Sequence, residues 1–380
     1  MGKRLSYNHA WAELYSFVPQ EGGLAEHHAI IHVEGGIQTF QQQLDALMDA
    51  YQQLLSNELP KDTVAVFKRY FLSDAANQHD YIIATDTSDC AKSIIQQSPL
   101  DGSKIALWVY LMTGVTTRVL HSGLYEASHN GYRHLWSASA NNLAANSEFQ
   151  TRLLFNEYVM QLAEEGCTLK NNCMRTWLFV NDIDLNYGGV VRARNQVFFT
   201  QGLTHDTHFI ASTGIGGRQH DPNVLTQMDT YAVAGISAEQ VHYLYASTHL
   251  NRTSDYGVSF ERGAYIDYAD RRHVLISGTA SINNKGQVVY PGDVIQQTHR
   301  MWDNVEALLA EAECTYDDVT HLIVYLRDGA DYAQVKALFD ARFPHMPFVI
   351  TQAPVCRPSW LIEMECMAIK GQHNEAFAAL

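Results

Sequence analysis

Two glutamates stand two residues apart in an otherwise apolar stretch near the end of the sequence, and that spacing carries chemistry. In Trp360–Met367, strand alternation puts Leu361, Glu363 and Glu365 on one face and Ile362, Met364 and Cys366 on the other. Burial raises a carboxyl pKa and a neighbouring carboxylate raises it further, so one of the pair is expected to stay protonated near neutral pH, as a general acid must be. Glu363 is the candidate, although the same pair would equally serve as ion-pair partners for another repeat of the chain. Arg357 lies in a sharp Cys-Arg-Pro turn just before this strand, where a guanidinium can fork onto a substrate carboxylate through two parallel hydrogen bonds. Arg192 and Arg194 are about 200° apart on a helix and cannot both face one ligand. Gly278-Thr279-Ala280 and Thr213-Gly214-Ile215-Gly216 offer small side chains and backbone N–H groups suited to an anionic oxygen. One acid among fixed cations describes a site that protonates an anionic substrate.

Other chemistries are disfavoured. His205-Asp206-Thr207-His208 has ligand types but lacks the further partners a zinc site needs, and the six cysteines form no CxxC pair, so no metal is expected. Neither GxGxxG nor GxxxxGK(S/T) occurs, so no nucleotide cofactor is expected. Lys plus Arg number 26 against 41 Asp plus Glu, a formal charge of −15 with no basic cluster, which repels a phosphate backbone and excludes nucleic acid as a favoured partner. The first residues lack the apolar core of a signal peptide and no apolar run spans a bilayer, so a cytoplasmic protein without a membrane partner is expected.

The elements that must position these residues come in threes. Phe40 to Asp74 spans an amphipathic helix, FQQQLDALMDAYQQLLSNE, and a strand, FKRYFLSD. Phe149 to Asp182 and Val294 to Asp328 repeat that order at nearly the same spacing. In the third copy Val294, Met301, Trp302, Val305, Leu308 and Leu309 form the buried stripe; in the second, Phe149, Leu153, Met160 and Ala163 are expected to do so. Each copy has a strand before its first helix, a second helix after the Asp and a closing strand. The expectation is an α+β fold of one antiparallel-rich sheet covered by two helices, three times over. The units divide as 1–116, 117–240 and 241–370, and the tail 371–380 carries no folding pattern. The closing strand of the second unit has Gln227 where the third has Glu363, and that of the first has no acid, so one working site is expected, between units two and three.

SGTASIN at Ser277–Asn283, NVEALLAEAE and CRPSWLIEMECMAI resemble the RidA/YjgF family, whose homotrimers hold their sites between subunits. The resemblance implies three tandem RidA-like (chorismate mutase-like) units in one chain, an intramolecular pseudo-trimer. Within that superfamily, RTWLFVNDIDLNYGGVVRARNQVFF, THFIASTGIG and the set Tyr256, Phe260 and Arg262 are similar to the chorismatases. The sequence departs from that pattern at Ala193, where a tyrosine is usual, and at Gly202-Leu203, in place of a Gly-Arg pair. The chorismatase likeness implies a small anionic, chorismate-like substrate whose enolpyruvyl ether is cleaved to pyruvate and a hydroxybenzoate-type product. It assigns substrate binding to Arg175, Arg192, Arg194, Tyr256, Arg262 and Arg357. A cysteine seven residues before the catalytic glutamate, here Cys356, goes with the 3-hydroxybenzoate product; the alternative is a small core hydrophobe. Enamine or imine deamination of the RidA type, and non-catalytic binding of small aromatic or keto acids, are the competing readings.

Overall fold

A computed structural model describes residues 2–19, 23–36 and 39–380. The first unit runs β1 (Lys3–Tyr7), β2 (Ala10–Phe17), β3 (Ala25–Val33), α1 (Phe40–Glu58), β4 (Thr63–Leu72), α2 (Ala75–Thr85), β5 (Ala91–Gln96) and β6 (Ile105–Thr113). The second runs β7 (Thr116–Val119), β8 (Tyr125–His129), β9 (Tyr132–Ala140), α3 (Ser147–Glu164), the short α4 (Leu169–Asn172), β10 (Cys173–Val180), α5 (Ile183–Thr200), β11 (Ala211–Gly216) and β12 (Thr226–Ala234). The third runs β13 (Val241–Leu244), β14 (Gly263–Asp267), β15 (Arg271–Ala280), α6 (Val294–Glu311), β16 (Val319–Leu326), α7 (Tyr332–Arg342), β17 (Phe348–Gln352) and β18 (Ile362–Gly371). Every unit builds a six-stranded sheet of one topology: β1-β2-β3-β6-β4-β5, β7-β8-β9-β12-β10-β11 and β13-β14-β15-β18-β16-β17. The parallel pairs β4/β5, β10/β11 and β16/β17 are joined through α2, α5 and α7, the crossover that parallel strands require.

The helices start where side chains can satisfy their first N–H groups: Thr39 and Gln42 form a capping box on α1, and Asp293 accepts from Gln296 N at 3.0 Å on α6. Helix α6 buries the six residues its spacing predicts. Helix α3 corrects the expectation. It buries Gln150, Thr151, Leu154, Phe155, Tyr158 and Leu162, leaving Phe149, Leu153 and Met160 49%, 50% and 66% exposed. The buried face lies one residue, about 100°, round from the apolar stripe. Gln150 explains the rotation, since its Oε1 accepts from Leu225 N (2.7 Å) and Thr226 N (3.1 Å) at the head of β12. The tail also departs from expectation: Asn374 N donates to Ala269 O (2.8 Å) and Asn130 Nδ2 to Ala379 O (2.7 Å), docking it across units two and three.

The units close a ring. Strand β5 lies against β9, and β11 against β15. The end of β17 meets the first unit through Gln352 N to Ser98 O (2.8 Å) and Leu100 N to Ile350 O (3.1 Å). One hydrogen bond recurs: Ile94 N donates to the Ser139 hydroxyl (3.0 Å) and Ser212 N to the Ser277 hydroxyl (2.9 Å). The core between units is aromatic, with Phe67 5.0 Å from Trp136 and 6.1 Å from Trp177. Buried ion pairs cross all three interfaces, Arg69 to Asp229 (3.0 Å), Arg175 to Glu365 (2.8 Å) and Arg271 to Glu26 (2.5 Å), and the last of these also has His321 stacked on Trp108 at 4.3 Å.

Candidate active site between units two and three

Strand β18 sits in the middle of its sheet, with Glu363 opposite Ala280 of β15 and Tyr325 of β16. Its pleat turns both glutamates toward unit two, as alternation requires. The two carboxylates then meet different surroundings. Glu365 accepts from Arg175 Nη2 (2.8 Å), Trp177 Nε1 (2.8 Å) and the Thr213 hydroxyl, and its Oε1 lies 3.6 Å from Arg69 Nη1 of unit one. This is the ion-pair role that the sequence left open for the pair, filled by one member. No described residue donates a hydrogen bond to Glu363. Burial first, then the charge of Glu365, pushes its carboxyl up to about 8, against the opposing pull of Arg262 and Arg175. Strand β15 slips register between Ile276 and Thr279, and Gly278 in that bulge leaves room for the carboxyl: a Cβ there would lie 2.1 Å from Glu363 Oε1.

Glu363 faces a recess lined by both units. From unit two come Tyr187 and Arg194 on α5, with Ser212 and Gly214 on β11; from unit three come Phe260, Arg262, Gly278, Ala280, Cys356, Arg357 and Trp360. Arg194 is 1% exposed, and among the described residues its Nε and Nη2 have no hydrogen-bond partner; its guanidinium lies 5.7 Å from the Phe260 ring centre. A buried guanidinium with unmet donors is costly unless an anion completes it. Arg262 is anchored to Asn251 by three contacts of 3.1–3.3 Å, whereas Arg357 is exposed at the mouth beside Trp360 (5.5 Å). Burial, and then the charge of Glu363, pushes the Cys356 thiol up to about 12 despite a hydrogen bond with Tyr187. A thiol so raised stays protonated near neutral pH.

Several other predicted residues are placed elsewhere. Arg192 points out from α5 and pairs with Glu148 at 2.8 Å, which the 200° separation from Arg194 dictates. Arg175 is spent on Glu365 behind the recess, not on a ligand. The backbone N–H of Gly278 donates to the Thr213 hydroxyl (2.9 Å), and Gly216 N to Pro354 O (2.8 Å), so neither is available to an oxyanion. Thr213 is the node joining Arg175, Glu365 and Gly278, and Thr279 turns its hydroxyl back to Ser277 O (2.9 Å). Gly214 is small because Tyr187 packs on it, 2.9 Å from where a Cβ would be. The Tyr256 side chain lies outside the described residues. Tyr187 was not anticipated; seven residues before Arg194, two helical turns, it shares that residue's face, which the spacing could have revealed. Among the described residues no cluster of three His, Cys, Asp or Glu could hold a metal ion, and His205 stands exposed while His208 stacks on Tyr243 (4.3 Å).

A RutC family protein of Pyrococcus abyssi is 30% identical over 99 residues, 26% of this chain and 78% of its own length. The chain belongs to the RidA/YjgF superfamily. The family model described as Endoribonuclease L-PSP matches residues 261–370, the third RidA-like unit. The 3-aminoacrylate deaminase RutC of Acinetobacter baylyi is 29% identical over 97 residues, 25% of this chain and 77% of that protein. The likeness beyond one unit is to a chorismatase crystal structure, with a TM-score of 0.65 over 82% of this chain and 95% of that one, at 18% identity. That likeness is one of fold. Among the described residues no helix is long and apolar enough to cross a membrane.

Proposed function

We propose that this RidA-type chain cleaves the enolpyruvyl ether of chorismate, releasing pyruvate and a hydroxybenzoate-type product. The observation that carries the reading is that the buried Glu363, which takes no hydrogen bond from a described residue, lines one recess with Arg194, a buried guanidinium whose Nε and Nη2 meet no partner among the described residues. Chorismate has two carboxylates, which Arg194 and the mouth residue Arg357 engage through paired N–H donors. With a pKa near 8, Glu363 is protonated roughly ten to one at pH 7. It delivers that proton to the methylene carbon of the enol ether, leaving an oxocarbenium ion at the ether carbon. Water adds to that carbon and returns a proton to Glu363; the hemiketal then breaks its bond to the ring oxygen, which takes up a proton, giving pyruvate and a dihydroxycyclohexadiene carboxylate, and loss of one water from that diol gives the hydroxybenzoate-type product. Cys356 and Tyr187 line the wall beside Glu363 and shape the space in which the ring must lie. The chorismatase-like motifs of units two and three support this substrate over other enol ethers.

Adding chorismate to the purified chain and following pyruvate with a coupled dehydrogenase tests the reading. Pyruvate is expected from the wild type, and none from Glu363→Gln. Ammonia from a 2-aminoacrylate source, with no pyruvate from chorismate, would replace this reading with deamination.

A further inference from the structure

The ring has three inter-unit clefts, and they have diverged. The cleft between units one and two is stoppered by His79 of α2 stacked on His220 at 3.9 Å; their counterparts in the candidate active site are Tyr187 and Cys356, five residues after the closing Asp and six before the closing strand. The cleft between units three and one holds a pocket. It is walled by α7 and β17 of unit three and by β2 and β3 of unit one, the elements corresponding to those around Glu363. Its floor is different. Ala106 holds the place of Glu363, and its cross-strand partner is His32.

His32 is 6% exposed, yet neither ring nitrogen has a hydrogen-bond partner. Nε2 lies 3.6 Å from Glu13 Oε2 and Nδ1 3.6 Å from Asp101 Oδ2, too far for direct bonds. The imidazole lies flat on Trp11, with centroids 5.0 Å apart at 10°. Burial lowers the His32 pKa, but Asp101 and Glu13 outweigh it and hold the ring charged to about pH 9. The floor thus carries two carboxylates and one cation, a net charge of −1. Among the described residues no hydrogen bond reaches Glu13 Oε1; Oε2 already accepts from Phe348 N at 3.1 Å. The mouth carries the opposite sign, with Arg4 and Lys336, while Tyr332 and Phe348 supply aromatic walls. Lys336 pairs with Asp340 one turn away, an exposed pair weak enough to exchange, and its ammonium lies 5.5 Å from the Phe348 ring centre.

We propose that this cleft is a second binding site, for a small zwitterion of the aromatic amino-acid class. Its ammonium meets the open Oε1 of Glu13, its carboxylate meets Arg4 and Lys336, and its ring lies against Tyr332 and Phe348. The chemistry is opposite to that at Glu363, where the fixed charges suit a dianion, so the two sites do not compete for one ligand.

Calorimetric titration of the full chain with L-phenylalanine, phenethylamine and 3-phenylpropionate tests this. One equivalent of L-phenylalanine is expected to bind, with each singly charged analogue at least tenfold weaker, a difference of about 1.4 kcal/mol. Glu13→Gln with Asp101→Asn should weaken L-phenylalanine at least tenfold, and Arg194→Met should leave it unchanged. Should the double variant misfold, the exposed Lys336→Ala provides the second arm: it should weaken L-phenylalanine but not phenethylamine. The proposal is overturned by no heat of binding at millimolar L-phenylalanine, by analogues binding as well as the zwitterion, or by binding that only Arg194→Met abolishes.

Discussion

Glu363→Gln should make the protein more stable, and by an amount that depends on pH. The folded chain holds the Glu363 proton up to about pH 8, whereas the unfolded chain releases it near its ordinary 4.5. Between those values the native state binds more protons than the unfolded state, so stability falls as pH rises, by about 1.4 kcal/mol per unit. At pH 7 the accumulated cost is about 3 kcal/mol, and above pH 8 it levels off near 5 kcal/mol. Glutamine has nearly the same volume and no proton to lose, and Glu363 gives up no hydrogen bond from a described residue, so the variant is relieved of most of that cost. Urea unfolding of both proteins at about pH 5, 7 and 8.5 measures the difference directly. It should be small at the lowest pH and largest at the highest. A difference that stays flat across the three, or a glutamine variant less stable at the highest pH, would refute the assignment of a buried, protonated acid.

Further outcomes follow from the same geometry. Arg194→Met should weaken substrate binding by about 2–4 kcal/mol, a thirtyfold to thousandfold rise in KM, while thermal stability holds or rises because no partner is orphaned; Arg192→Ala should change neither. Gly278→Ala forces the Glu363 carboxyl aside and should lower kcat about a hundredfold with an unchanged circular dichroism spectrum. Arg69→Met strips a cation from both Asp229 and Glu365 and should lower the unfolding free energy by about 3–5 kcal/mol in a urea titration. In a pyruvate-release assay, kcat should fall about tenfold per unit above pH 8 as Glu363 loses its proton.

Much of this was written where local periodicity and burial agree. Helix α6 carries its apolar stripe where it packs, and β18 alternates as its glutamates require. Helix α3 misleads because Gln150 and Thr151 are buried for their hydrogen bonds, so a stripe chosen by hydrophobicity faces water. Arg192 and Arg194 are separable by rotation alone, and one does turn outward while the other turns in. Arg175 could not be resolved that way, since its commitment to Glu365 joins residues 190 apart in the chain. Arg69 offered still less warning: it comes from the unit that holds no candidate acid, yet reaches carboxylates of both others. Contacts between repeats obey no period that a single strand or helix can display.

Joining the three units in one polypeptide changes the terms on which their seams can vary. In an assembly of identical subunits, any substitution at a seam is made three times, and a defect of 1 kcal/mol costs about 3. Here each seam is encoded separately, so one can add an aromatic stack and place its ion pair on other strands without touching the rest. Such a molecule is free to specialise its junctions one at a time, and a change that would have been lethal in triplicate becomes merely local.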